Sequence, residues 1–182
     1  LDPHSLNESL QLSINGNAYE PLVDLDKKLN VVPGLATGWK QTSPTVWRFD
    51  LRKNVRFHDG TPFTADDVVF SVNRAKHPAG TFSVYASALG TPVATDPLTV
   101  EFRLDKVNPV FLQHLDTIAI MSRAWCEAHK VTRPQDFKNK EESYAAFHAN
   151  GTGPFLLDRR QPDQRTSFRR NPAWWGRFDG NV

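Results

Sequence analysis

Residues 46–75 read VWRFDLRKNVRFHDGTPFTADDVVFSVNRA, and three local signals follow one another in them without conflict. Trp47, Phe49 and Leu51 alternate with Arg48, Asp50 and Arg52, and after a short break Val55 and Phe57 alternate with Arg56 and His58. A period of two with one apolar side marks half-buried strands, so the segment predicts a hairpin with one wet face. Asp59-Gly60 is turn chemistry, and Pro62 fixes a backbone angle. Thr64-Ala65-Asp66-Asp67 then places a hydroxyl at an N-cap and a carboxylate three residues on, the reciprocal pair that opens a helix. Val68, Val69, Val72 and Ala75 fall on one face at helical spacing, with Asp66, Ser71, Asn73 and Lys76 turned away, and His77-Pro78 ends the run. The reading is strand, strand, helix.

Toward the N-terminus, Leu6, Leu10, Ile14 and Ala18 approach helical spacing, but Asn15 and Gly16 weaken the middle, so residues 5–23 predict a loop leading into a short helix. Residues 24–30 are polar turn material, 31–35 an extended crossing, and Thr42-Ser43-Pro44 a loop. Beyond the first long helix, residues 79–90 mix small side chains with Phe82 and Tyr85. Residues 92–94 and 99–104 predict a second hairpin around Asp96-Pro97, with Val100, Phe102 and Leu104 facing inward. Pro109 stands where a helix can begin, Phe111, Leu112 and Leu115 supply its apolar face, residues 118–121 form a candidate buried strand, and Ser122 a candidate cap. Residues 138–150 predict a helix with Glu141 and Glu142 in the early turns, where the dipole favours acids, and Gly151 stops it. Residues 155–159 and 166–170 predict a third hairpin around Gln161-Pro162-Asp163-Gln164, followed by an Asn171-Pro172 turn.

Composition narrows the function classes. With 182 residues, 39% of them hydrophobic and 23% charged, the chain can form one large domain or one and a half around a real core. No stretch approaches the roughly 18 consecutive apolar residues of a membrane helix, so no bilayer span is expected. Lys plus Arg number 22 against 20 for Asp plus Glu, which lacks the basic excess of a nucleic-acid protein. Histidines at positions 4, 58, 77, 114, 129 and 148 show no paired spacing, and Cys126-x-x-His129 lacks two further ligands, so a zinc site is not expected and Cys126 reads as a buried thiol. Gly151-Thr152-Gly153 lacks the lysine of a phosphate loop and reads as a tight turn. His58-Asp59, beside Gly60 and Pro62, reads as a turn element, not an acid–base pair. Arg159-Arg160 and Arg169-Arg170 are placed opposite one another on the third hairpin as a solvated rim. A glycosidase would need a carboxylate pair, and Asp66-Asp67 is spent on the helix start. Neither catalysis, a resident metal nor a cofactor is expected.

The string Leu51-Arg52, then Val55 to Val68, resembles the signature region of the family 5 extracellular solute-binding proteins, the peptide and nickel receptors of bacterial ABC importers. Leu1-Asp2-Pro3-His4, Tyr19-Glu20-Pro21-Leu22-Val23 and Val32-Pro33-Gly34-Leu35-Ala36-x-x-Trp39 resemble that family's opening in the same order. Gly151-Thr152-Gly153-Pro154-Phe155 and Arg170-Asn171-Pro172-x-Trp174-Trp175-Gly176 resemble the end of its first third, with the two tryptophans as a structural anchor. The resemblance implies a mixed α/β chain, part of a periplasmic-binding-protein type II lobe with an inserted β-hairpin and helix subdomain. Residues 1–32 would be the edge of the main lobe, 33–150 the insert and 151–182 the return, with a signal peptide and a first strand upstream and the second lobe outside this chain. It further implies capture of an oligopeptide, dipeptide or nickel chelate and delivery to a membrane permease, from the periplasm or from an extracellular lipoprotein. A sensory or scaffold receptor of the same fold is the alternative. The residues after Leu-Asp-Pro-His line the cleft in relatives, so Asn7, Ser9 and Gln11 are the implied ligand contacts here. Tyr85, in the loop after the first long helix, matches a further cleft residue, with core packing as its other reading.

Overall fold

The computed structural model describes residues 1–162 and 164–178. In chain order it runs through helix α1 (Ser9–Asn15), strands β1 (Val23–Leu25), β2 (Val31–Pro33), β3 (Ala36–Ser43) and β4 (Val46–Leu51), and helices α2 (Ala65–Ala75) and α3 (Ser83–Ser87). Strands β5 (Thr91–Asp96) and β6 (Thr99–Arg103) follow, then helices α4 (Phe111–Leu115), α5 (Arg123–Ala128) and α6 (Tyr144–Phe147), and strands β7 (Phe155–Gln161) and β8 (Arg165–Arg170).

The main sheet has the order β3-β4-β6-β5, every pair antiparallel, with β4 and β6 inside. Register explains its two faces. Trp39 lies opposite Phe49, Phe49 opposite Val100 and Val100 opposite Ala94, all on one side, whereas Lys40, Arg48 and Glu101 align on the other. Phe49, Val100 and Phe102 are completely buried, and Phe111 from α4 meets Phe102 edge-on at 5.4 Å while stacking on Trp47 at 5.2 Å. Helix α2 lays Val68, Val72 and Ala75 into the same core. The second hairpin is as expected, β5 against β6, with Leu104 just beyond it also buried.

The first hairpin is not as expected. Residues 55–57 do not pair with β4; the chain from Val55 to Phe63 closes on itself, with the Phe57 amide donating to Thr61 O at 2.8 Å and the Phe63 amide to Val55 O at 3.1 Å. Val55, Phe57 and Phe63 are all buried, so their apolar spacing serves a tight loop around Gly60, whose φ is +87°. The hairpin partner of β4 is instead β3, an edge strand whose polar run Lys40-Gln41-Thr42 gives no alternating signal. Thr42-Ser43-Pro44, read as a loop, supplies the end of β3 and the tight turn into β4.

Four further expectations are corrected. Ile118, Ile120 and Met121 are buried and Ala119 half-buried, but residues 118–121 form no strand; the Ile120 amide bonds Glu20 O at 3.0 Å. Residues 138–150 are not one helix, for only Tyr144–Phe147 is helical. There the Glu141 carboxylate accepts from the Asp136 amide at 2.8 Å and binds Arg133, while Asp136 accepts from the Asn139 amide at 3.1 Å, local bonds that replace helical ones. Ser71 does not face solvent: its Oγ accepts from the Met121 amide at 2.9 Å, so α2 is buried on a second, polar side. The third hairpin forms, though Asp163 of its turn lies outside the described residues. Its arginines do not face one another, since Arg169 pairs with Leu156 and Arg170 with Phe155; Arg159, Arg169 and Arg170 are exposed and Arg160 half-buried.

Candidate functional site

The signature loop is a clasp. His58 donates its backbone amide to Gly151 O at 2.8 Å, and its Nε2–H reaches Gly153 O at 3.1 Å. That tautomer leaves Nδ1 to accept from the Gly151 amide at 3.4 Å. Burial lowers the His58 pKa, consistent with a neutral ring. Asp59 and Asn150 exchange two further bonds, the Asp59 amide to Oδ1 at 3.0 Å and Nδ2 to Asp59 Oδ2 at 2.9 Å. The glycines are required by contact: a Cβ on Gly151 would overlap the Ala18 carbonyl oxygen, and one on Gly153 would sit 2.7 Å from the Ala18 carbonyl carbon. The Gly153 and Phe155 amides then bond Ala18 O and Asn17 O, both at 3.0 Å. Turn element and tight turn, the plainer readings of both motifs, describe them correctly.

The opening motif is a second clasp. Arg74 on α2 is 3% exposed and makes a two-toothed pair with Asp2, at 2.8 and 2.7 Å, while Nε donates to Val131 O at 2.9 Å. Burial alone would raise the Asp2 carboxyl; the guanidinium overrides it and holds the pKa below the usual value. His4, fully buried, donates from Nε2 to Ala119 O at 2.8 Å and accepts from Arg74 at Nδ1, 3.1 Å away. Burial first, then the Arg74 charge, lowers its pKa to about 4.

Glu20 fastens the end of the described chain. Trp174 and Trp175 donate their indole N–H groups to its two oxygens at 3.0 and 2.8 Å, and the Thr152 hydroxyl donates at 2.7 Å. Burial raises the Glu20 pKa and these three bonds oppose the rise. The Arg52 guanidinium lies 4.0 Å over the Trp175 ring. The tryptophans therefore serve as an anchor for this carboxylate. Cys126 is a buried thiol, pushed up to about 12 chiefly by burial, and no cluster of three or more metal-ligating side chains occurs among the described residues.

Of the four residues implied as ligand contacts, two come together. Asn7 is exposed; its amide donates to Thr81 Oγ1 at 2.6 Å and its Nδ2 to the Tyr85 hydroxyl at 3.4 Å. The Tyr85 ring packs on Phe82 and His114, with centroids at 6.4 and 5.7 Å, so it is held by core residues while its hydroxyl meets Asn7. Ser9 opens α1 with an exposed side chain. Gln11 is turned elsewhere, donating to Asp2 O at 2.9 Å in a hollow it shares with Leu10, Ile14 and Arg160. Beside Asn7 opens a pocket of about 240 Å³ between α1 and the chain after α4, lined among others by Leu12, Asn15, Tyr19, Phe82 and Asp116. Nothing local in the sequence marks Asn15 or Asp116: one is the last residue of a short helix, the other follows a short one.

Residues 30–181 match the family described as bacterial extracellular solute-binding proteins, family 5 Middle. The periplasmic murein peptide-binding protein MppA of Escherichia coli K12 is 33% identical over 197 residues, covering 96% of this chain and 34% of that protein. The nickel-binding periplasmic protein of the same organism is 28% identical over 182 residues, 97% of this chain and 32% of that one. The structure of the periplasmic binding protein DppA from Helicobacter pylori in complex with the peptide STSA superposes with a TM-score of 0.78 at 26% identity, over 97% of this chain and 38% of that chain. The chain thus spans about a third of the length of the relatives it matches. Its mixed α/β architecture is that of the type II periplasmic-binding-protein fold. With the fold, the ordered motifs and the match over residues 30–181 agreeing, the chain belongs to family 5 of the bacterial extracellular solute-binding proteins.

Proposed function

We propose that this chain is part of the substrate-binding component of an ABC importer, which captures a peptide-like or metal-chelate solute outside the cytoplasmic membrane and hands it to a permease. The observation that carries the reading is the family match over residues 30–181, backed by relatives whose names record murein peptides, dipeptides and nickel as what they bind. It is a binding protein and not an enzyme. Periplasmic residence, or extracellular anchoring through a lipid, follows from the same reading, and no helix among the described residues is long and apolar enough to cross a membrane. The clasps at His58, Asp2 and Glu20 suit such a role, because a binding wall works when the elements behind it are rigid. Residues 1–32 and 151–182 would then belong to one lobe and 33–150 to its insert; the bonds from Gly153 and Phe155 to Ala18 and Asn17 support joining the two ends.

Asn7 and Tyr85 are the proposed ligand contacts on this wall, with Ser9 beside Asn7 in sequence and Gln11 the weakest of the four because its amide is already committed to Asp2 O. The test is to purify the full-length protein, identify what it carries by mass spectrometry, and measure binding of that solute by calorimetry after Asn7→Ala and Tyr85→Phe. Loss of about tenfold in affinity for either, about 1.4 kcal/mol, with an unchanged melting temperature of the unliganded protein supports the assignment. Undiminished binding in the double variant moves the site away from this pair. Failure to bind any peptide or nickel–histidine chelate removes the capture reading itself.

A further inference from the structure

We propose that the pocket beside Asn7 is a subsite for a positively charged amino group of the captured solute, received by Asp116 and Asn15; the inference rests on the capture reading above. Asp116 is a half-buried carboxylate in the pocket wall with no basic side chain within ion-pair distance among the described residues. Its surroundings make matters worse for the charge: burial, with Asp24 nearby as the smaller cause, raises its pKa to about 6. A carboxylate left in that state lacks a cation. The second observation is independent. Asn15 is 5% exposed, lines the same pocket, and neither its Oδ1 nor its Nδ2 has a hydrogen-bond partner among the described residues. A buried amide with both ends unsatisfied costs free energy that a ligand group able to donate or accept would recover.

The walls distinguish an organic cation from a metal ion. Leu12, Tyr19, Pro21 and Phe82 contribute apolar and aromatic surface, which favours an alkyl chain ending in ammonium and can add cation–π attraction. A calcium ion would call for roughly six to eight oxygen ligands, rich in carboxylates, and the pocket offers a single carboxylate, its other side-chain oxygens on Asn7, Asn15, Tyr19 and Thr117 being neutral. About 240 Å³ accommodates a lysine side chain or the N-terminal residue of a peptide. These two sources share the same chemistry, and the probes separate them.

The experiment measures calorimetric affinities of the full-length receptor for three peptides: trilysine, tri-norleucine and N-acetyl-tri-norleucine. Norleucine keeps the aliphatic stem without the charge, and acetylation removes the terminal one. The unaltered receptor is expected to prefer trilysine over tri-norleucine, or free over acetylated tri-norleucine, by about tenfold or more, the first ratio marking a side-chain ammonium and the second a terminal one. Asp116→Asn, which keeps the side chain's shape, is expected to bring the preferred ratio to within about twofold of unity, and Asn15→Leu to weaken the favoured peptide. Unchanged ratios in Asp116→Asn overturn the subsite; a lysine or arginine from elsewhere in the full-length chain seated on Asp116 would give that result. Equal binding of all three peptides by the unaltered receptor also overturns it while leaving capture intact. Absence of binding to all three peptides and to a nickel–histidine chelate overturns the capture reading along with the subsite.

Discussion

Single residues here do work that their types alone do not announce. At the start of α2, Thr64 is the N-cap, but the carboxylate of Asp67 carries the cap: it accepts from the Thr64 amide at 2.9 Å, from the Thr64 hydroxyl at 3.2 Å and from the Arg123 amide at 2.9 Å. Thr64→Ala removes one hydroxyl that can turn to water, whereas Asp67→Ala orphans two backbone donors. We expect about 2–3 kcal/mol for Asp67→Ala against about 1 kcal/mol or less for Thr64→Ala in urea denaturation. Equal midpoints for the two variants would return the cap to threonine. His4 gives a pH prediction. Its folded pKa of about 4 lies below the value near 6.5 of an open chain, so the folded state binds fewer protons and stability is lost as pH falls from about 6.5 toward 4. Two and a half pH units correspond to about 3 kcal/mol for this one fully buried ring. Asp116, raised to about 6, acts with the opposite sign over the same window, but it is half exposed and screened to about 1 kcal/mol or less. His4→Gln, which can donate and accept without taking a proton, should flatten the acid limb of the stability–pH curve; an unchanged limb would show that other groups set it.

At the level of elements, legibility followed how local the cause was. Helix α2 was readable because its cap, apolar face and terminating His77-Pro78 all lie within 15 residues. The β5–β6 and β7–β8 hairpins were readable because turn residues separate two short extended segments and the pairing is between neighbours. β3 was not, because an edge strand that meets solvent along one side carries little periodicity, and its partner β4 had a false suitor in Val55 and Phe57. Residues 138–143 differ from expectation for another reason: the acids that suit a first helical turn are equally good at accepting other local donors, and Glu141 accepts from the Asp136 amide and the Arg133 guanidinium. The candidate site divides the same way. The family resemblance singled out Asn7 and Tyr85 as proposed contacts, and the structure joins these two residues, 78 positions apart, by a hydrogen bond although no rule of spacing links them. Asn15 and Asp116 became visible only once α1 and the chain after α4 were brought against one pocket.

On the scale of the whole molecule, the proposed function would make the pocket, Asn7 and Tyr85 one wall of a site completed by the rest of a protein about three times as long, the length of the relatives. Solute capture of this kind is a hinge motion: two lobes close because the ligand touches both, and the free energy of capture comes from burying it between them. A peptide resting on one wall keeps the loss of its own translational and chain freedom but forgoes the opposite wall's hydrogen bonds and the exclusion of water. The wall described here should nonetheless stay folded, since the Asp2–Arg74 pair, the His58 clasp and the Glu20 anchor are all made within it. We therefore expect the isolated 182-residue chain to show a cooperative unfolding transition yet to bind the peptide retained by the full-length receptor at least about 100-fold more weakly, about 2.7 kcal/mol. Calorimetry on the two proteins with that one peptide decides the matter. Equal affinity would mean that the binding surface is complete within these residues and that closure against a second lobe adds nothing to capture.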